Sequence, residues 1–503
     1  MPNYSSSNCY YDIEFVHVQR TVSQIHLQAG GDSIKNDYML IKSVGRLLIK
    51  LSFPAMVGMF AYSAFSLVDT FFIARLGVNA LAAITLTIPV QILITSLASA
   101  TGVGLTSFIS RTLGQGDIKF ADNIAWHGLF IGIIYGLLFL LLGEQYLDQL
   151  LLFFGSNQET FSLCKQYLSI ILKGCVFTFI PIVLSSIIQG EGNTFVPMIV
   201  ALSSVALNVA LDPLFIFGLG PVPGMGLEGA AIATVLAQFL TSVIILLVVV
   251  KKRFYLSWAI RHFRPSLTVL LGVYQVALPT MVMEICSVFI MAFLNRVLIA
   301  YSCTALAVLG IFMHVRSIIY MPVYGLSQGA VPMAGFAYGA GKNDRVKETL
   351  VKASVISLLL IGWGWFIVQH YPLWVMYFFS DDPALLIMGV SCLRLATLVL
   401  PLMGPIIILY SVLQALGKGT TAMYLSLLRQ VGFFLPLIII LPRFYNIQGV
   451  WLAFSASEFL SALLVLVFFI RLWRELQVKK RPLVVMLFNG GYSFRRLLAW
   501  LKW

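Results

Sequence analysis

Apolar residues in this chain do not alternate with polar ones at the spacing of a half-buried element; they run on almost unbroken. From about residue 47 to 471 such runs recur, each near the roughly 20 residues that cross a hydrocarbon core. Twelve helices are predicted, at about 48–73, 81–109, 123–142, 166–188, 195–218, 228–250, 269–295, 304–333, 349–370, 391–414, 421–441 and 449–471. A barrel would need short alternating segments, whereas a helix satisfies its own backbone groups inside lipid. The pattern predicts an all-α polytopic membrane protein.

The polar breaks give the orientation. Connections after even-numbered spans carry Arg111, Lys119, Lys251, Lys252, Arg253, Arg261, Arg264, Lys342, Arg345, Lys347, Lys352 and Lys418. Those after odd-numbered spans hold few basic residues and carry the acidic Glu144, Asp148, Glu159, Asp381 and Asp382. The excess of positive charge places the even connections and both termini in the cytoplasm. Composition agrees: 59% of residues are hydrophobic, 11% are charged and the mean hydropathy is +0.93, whereas soluble domains carry about 25% charged residues. A net charge of +13 would suggest nucleic acid in a soluble protein. Here it follows from cytoplasmic loops and a basic tail suited to anionic membrane lipids, so no nucleic-acid partner is expected. The six cysteines have no paired short spacing and read as small core residues. The first 36 or so residues lack the order of a signal peptide and read as a polar leader.

Shifting the chain over itself by 225 residues exposes a repeat. Pro54, Met56 and Val57 fall on Pro279, Met281 and Val282; Gly104, Gly114 and Gly116 fall on Gly329, Gly339 and Gly341; Gln189 and Gly192 fall on Gln414 and Gly417. The shift covers an even number of spans, so two six-helix repeats are parallel, an arrangement that supports alternating access to a cavity between lobes. The expected organisation is a cytoplasmic leader over 1–45, an N-terminal lobe over 46–250, a basic linker over 251–268, a C-terminal lobe over 269–471 and a basic tail over 472–503. The linker, KKRFYLSWAIRHFRP, suits a short helix at the interface. Neither a soluble domain nor a polar catalytic cluster is visible, and no phosphate-binding glycine loop is complete. His127 and His314 lie inside spans without a partner at ligand spacing. An enzyme is not expected, and no cofactor is implied.

Charged groups within spans cost roughly 2.5 to 3.5 kcal/mol each on insertion scales, so they mark candidate sites. Asp69 stands in FSLVDTFFIARLG, too far from Arg75 for a helical i,i+4 pair. Asn208 and Asp212 in ALNVALDPLFIFGLG share a helix face, and Pro213 leaves a carbonyl of the preceding turn without its amide. These oxygens could hold Na⁺ or share a proton; they could instead bond a neighbouring helix or cap a helix end. Thr234 could add a hydroxyl, or serve helix packing. For substrate, Glu284 could recognise a cation or pair with Arg316 or Arg429. Tyr62, Phe65 and Phe289 offer cation–π faces, and Gln238 is a further polar candidate. At the 225-residue shift Asp69, Asn208 and Asp212 meet Leu294, Phe433 and Leu437, so the acidic cluster belongs to one lobe.

LIKLSFPAMVGMFAYSAFSLVDTFFIARLGVNALAA, GVGLTSFISRTLGQGD, QGEGNTFVPMIVALSSVALNVALD and VALPTMVMEICSVFIMAFLNR together resemble the multidrug and toxic compound extrusion (MATE) family, bacterial type, over about residues 45 to 470. The resemblance implies a V-shaped pair of six-helix lobes exchanging H⁺ or Na⁺ for amphipathic, mostly cationic drugs. It implies an N-lobe ion site at Asp69, Asn208 and Asp212, with Thr234 matching a sixth-span threonine of some members. Those three residues would be metal ligands only with Na⁺ coupling. Glu284 follows Pro279 by five residues, where some relatives carry an acidic residue about eight after the proline. The implied setting is a bacterial inner membrane, in contact with lipid, as a monomer. The alternative is a lipid-linked oligosaccharide flippase, a related two-lobe class that should show a larger, strongly cationic cavity.

Overall fold

The computed structural model describes residues 38–153, 158–218, 223–251 and 255–477. The expected leader therefore lies almost wholly outside the described residues, as does the basic tail beyond 477. Twelve membrane-crossing elements follow in order. They are α1 (Val44–Ala74), α2 (Val78–Gly114), α3 (Ile118–Gln145), α4 (Gln158–Lys173 continued by Cys175–Gly190), α5 (Phe195–Ile216) and α6 (Gly226–Lys251) in one lobe. In the other are α7 (Leu267–Ile299), α8 (Cys303–Gly339), α9 (Asn343–His370), α10 (Pro383–Ala396 continued by Met403–Ala415), α11 (Gly419–Ile440) and α12 (Pro442–Gln477). Both α4 and α10 bend by 49°, a feature that uniform hydrophobicity does not reveal.

The repeat is geometric as well as textual. Gly116 and Gly341, 225 residues apart, turn the chain at φ of 85° and 71°, and Gly192 and Gly417 do so at 81° and 79°. Side-chain-bearing residues rarely adopt this left-handed region. The short helices Leu147–Phe153 and Pro372–Tyr377 also begin one repeat apart. Contacts between lobes obey the same shift. A Cβ on Gly114 would strike the carbonyl of Phe336, and one on Gly339 would strike that of Arg111. Likewise Gly104 abuts Ala277, and Gly329 abuts Ser52. Each pair maps onto the other when 225 is added, so the lobes are related by a pseudo-two-fold axis running along the helices.

Apolar packing defines the shape. At the end bearing the even connections, one continuous core joins Leu48, Leu105 and Ile109 of the first lobe to Leu326, Ala334 and Ile408 of the second. At the opposite end the core divides. Ile73, Leu168 and Phe179 belong to a cluster within the first lobe, while Leu294, Phe312 and Trp451 belong to one within the second. The molecule is a V, closed where the basic loops lie and parted at the other end. Polar bonds help close it: Ser107 Oγ donates to the Gln414 carbonyl at 2.5 Å, Ser52 Oγ to that of Leu326 at 3.3 Å, and Gln189 Nε2 to Gln328 Oε1 at 3.1 Å.

The inter-lobe linker departs from expectation. Among its described residues it forms a single 3₁₀ turn, Ile260–His262, within an extended strap held by the first lobe. Asp122, wholly buried at the start of α3, accepts from the Ser257 amide at 2.9 Å, the Trp258 amide at 3.3 Å and the Ser257 hydroxyl, and contacts His262 Nδ1 at 2.7 Å. Asn123 Oδ1 accepts from the Arg264 amide at 2.9 Å, His127 Nε2 from the Ser266 amide at 3.0 Å, and Glu191 from the Tyr255 amide at 3.0 Å. His127, which has no ligand-spaced partner in sequence, is therefore a backbone clamp. Replacing Asp122 with alanine strands several buried donors, at about 1–3 kcal/mol each. Faster trypsin cleavage at Arg261 and a lower melting temperature in detergent are expected; cleavage at the wild-type rate would contradict the clamp.

Candidate functional site

The expected ion residues converge in the part of the first lobe that flanks the open cleft. Asp69 lies near the end of α1, and α5, packed against α1 and α6, supplies Asn208 and Asp212. Asn208 is 1% exposed and Asp212 is fully buried. Their spacing of four residues stacks them on one helix face, as the sequence implies. Asn208 Nδ2 donates to Thr234 Oγ1 of α6 at 3.3 Å, which leaves the amide oxygen turned away from that bond. Pro213 sits inside α5, so the Val209 carbonyl one turn earlier lacks its proline-blocked amide.

The hydrogen-bond inventory at this site is incomplete. Asp69 Oδ1, Asn208 Oδ1 and both carboxylate oxygens of Asp212 are buried and have no partner of ordinary geometry, although the Asn208 amide lies close enough to act on the Asp212 carboxylate. Buried acceptors are normally satisfied, and two neighbouring carboxylates in a low-dielectric lobe repel one another. Asp69 and Asp212 stand within electrostatic reach of each other, and both reach Tyr167. The arrangement presents four acceptor atoms on two acidic side chains and one amide. Oxygen donors of this kind suit a hard cation or a proton. Among the described residues, no three His, Cys, Asp or Glu side chains gather as a metal cluster.

Two members of this site were not anticipated from sequence. Tyr167 of α4 is 3% exposed and bonds Gln91 of α2. Gln91 Nε2 in turn donates to Thr87 Oγ1 at 3.1 Å. Gln91 carried a readable signal, a lone amide in the apolar run ITLTIPVQILITSL. Tyr167 carried none, because a tyrosine near a span end is ordinary.

The expected substrate residues are dispersed. Tyr62 on α1 and Phe289 on α7 are exposed, while the side chain of Phe65 lies outside the described residues. Gln238 is turned into the first lobe, where its amide oxygen accepts from Thr178 of α4. Glu284 of α7 is half-buried beside Ser96 of α2, across the junction between lobes. Its alternative pairing with Arg316 is not the one found: Arg316 instead meets Glu458, at 3.7 Å.

A twelve-span membrane protein of two parallel repeats, parted at one end, is the architecture of a two-lobe transporter. The MatE family model matches residues 54–214 and again 279–440, two segments that begin 225 residues apart. The chain belongs to the MatE family, the multidrug and toxic compound extrusion family its motifs resemble. It is 28% identical over 433 residues to a FAD transporter of Shewanella oneidensis, covering 84% of this chain and 94% of that one. It is 26% identical over 424 residues to the multidrug export protein MepA of Staphylococcus aureus, covering 84% and 92%. A solved structure described as the outward-facing conformation of a multidrug resistance MATE family transporter superposes with a TM-score of 0.82, at 26% identity over 88% of this chain and 98% of that one. The flippase alternative finds no support in these likenesses.

Crowded, unpartnered carboxylates destabilise the lobe that holds them, and removing one relieves the cost. Asp212→Asn should therefore stabilise the protein in alkaline, Na⁺-free buffer by about 1–3 kcal/mol, the scale of an unsatisfied buried group. Thermal unfolding in detergent checks this. A lower melting temperature for the variant would mean that Asp212 is already well compensated.

Proposed function

We propose that the protein is a cation-coupled antiporter that exports amphipathic, mostly cationic drugs by alternating access, with H⁺ or Na⁺ as the coupling ion. The observation that carries this reading is the set of four buried oxygens on Asp69, Asn208 and Asp212 without partners. A small cation or proton bound there supplies the missing donor or charge.

Occupancy and shape are linked through α1. Pro54 interrupts the hydrogen-bond ladder of that helix, and α1 also packs on α8 at the closed end. Neutralising Asp69 and Asp212 removes their mutual repulsion, which allows α1 to settle differently against α5. A cation and a protonated or Na⁺-loaded site then compete for the same negative charge, which is the condition for exchange. Substrate enters the cleft, with Tyr62, Phe289 and Glu284 as its candidate contacts for an organic cation. The basic loops at the closed end support an inner-membrane protein with both termini cytoplasmic, so the cleft faces outward. The pseudo-two-fold contacts are complete within one chain, and the working unit is a monomer in contact with lipid. The drug-export reading is supported by the relative named as a multidrug exporter.

Reconstituted vesicles provide the test. Drug addition should release protons, or drive radioactive sodium flux, in wild-type vesicles. Asp69→Asn and Asp212→Asn should each lower that exchange by at least about tenfold, the effect of losing roughly 1.4 kcal/mol of coupling, while the protein still inserts and folds. Exchange at the wild-type rate in both variants would remove the site from the mechanism. Dissipating the proton gradient and the sodium gradient in turn identifies the ion.

A further inference from the structure

The second lobe holds its own polar cluster, and its charge is opposite in sign. Arg316 and Tyr320 on α8, Tyr410 on α10, Arg429 on α11 and Glu458 and Ser461 on α12 gather inside it. Arg316 Nη2 lies 3.7 Å from Glu458 Oε1, and the Tyr320 hydroxyl donates to the same oxygen at 3.4 Å. Glu458 is 2% exposed and Ser461 is fully buried. Two guanidiniums, which stay protonated in proteins, face one carboxylate.

The cluster is also short of partners. Arg429 Nε, Tyr410 Oη, Ser461 Oγ and Glu458 Oε2 are buried with no hydrogen-bond partner of ordinary geometry, and the Tyr410 hydroxyl is the nearest acceptor for both Ser461 and Arg429. Three of these four can donate, so the deficit is one of acceptors as well as of negative charge. Arg429 sits in a π-helical stretch, Leu428–Phe434, a local widening often found at functional sites. Gln430 anchors that stretch by accepting from Ser287 Oγ of α7 at 2.9 Å. Arg316 retains 17% side-chain exposure, so the cluster is not sealed.

Its place in the repeat strengthens the case. Subtracting 225 carries Arg316 onto Gln91, a member of the N-lobe site, and Glu458 onto Ala233, beside Thr234. One backbone position thus carries an amide in the first lobe and a guanidinium in the second.

We propose that Arg316 and Arg429, with Tyr410 and Ser461, form an anion-accepting subsite in the C-terminal lobe that receives a carboxylate or phosphate group of an amphipathic substrate. This rests on the exporter reading and extends its substrates to zwitterionic and anionic amphiphiles, whose acidic group binds in the second lobe. Planar, multi-donor recognition of a carboxylate or phosphate is what arginine provides best.

The test compares two probes that differ in one group: a rhodamine with a free benzoate and its methyl ester. Binding to the purified full-length protein in detergent is read by fluorescence polarisation, as the ratio of the two affinities. Arg429→Gln should shift that ratio against the free benzoate by about tenfold, and Tyr410→Phe by about two- to threefold, the range of charged and neutral hydrogen bonds. Arg429→Lys should recover part of the loss. If Arg429→Gln does not fold, Tyr410→Phe and Arg429→Lys decide. An unchanged ratio in the folded variants would overturn the proposal. So would phosphatidylglycerol that displaces the benzoate dye from wild type but not from Arg429→Lys, which would give the site to a lipid headgroup. Gradient-driven uptake of the methyl ester into vesicles is measured separately. Its absence in wild type would sink the exporter reading while the affinity ratio still judged the subsite.

Discussion

Backbone-to-backbone approach at the closed end of the V is the constraint on which the molecule depends. Helices of opposite lobes meet where Gly114, Gly339, Gly104 and Gly329 leave no room for a side chain. Lipid gives apolar helices little reason to associate, so close packing of small residues must supply the attachment. Because the contacts repeat about one axis, both lobes are held with equal leverage. The open end is then free to diverge into two separate cores, and whatever sits beside the cleft feels a medium between protein and water.

On that symmetric frame the chemistry is asymmetric. The first lobe concentrates two carboxylates and an amide oxygen where the second has Leu294, Phe433 and Leu437. The second concentrates two arginines and a glutamate where the first has Gln91, Ser204 and Ala233. Buried, uncompensated charge of either sign is costly. Each cluster bonds across helices, Asn208 to Thr234 in the first lobe and Arg316 to Glu458 in the second, yet each also keeps buried polar atoms without a partner of ordinary geometry. The six-helix unit is repeated, but its buried charges stand at different positions in the two copies.

Much of this was legible in the sequence, for physical reasons that can be named. The spans follow from hydrophobic length, and the repeat from glycines and prolines whose backbone roles tolerate no exchange. Asp69, Asn208 and Asp212 stood out because charge inside lipid is rare. The bends of α4 and α10 and the π-helical stretch around Arg429 were not legible, because apolar residues permit them without requiring them. Glu284 and Arg316 looked like possible partners, yet partner choice depends on helix rotation: Glu284 lies at the junction beside Ser96, while Arg316 turns inward to Glu458. The same holds for Gln238, which its helix turns onto Thr178. The strap was read as a membrane-surface helix because its arginines and tryptophan fit that pattern. Its real determinants, Asp122, Asn123 and Glu191, lie far away in sequence.

That strap also decides where motion can be absorbed. Asp122, Asn123, His127 and Glu191 hold it along most of its length, up to the amide of Ser266, and α7 begins one residue later. The tether between halves is thus effectively a part of the first body, like a hinge leaf screwed to one jamb. A displacement of the second body would enter the link around Ser266 and Leu267, just beyond the last of these bonds.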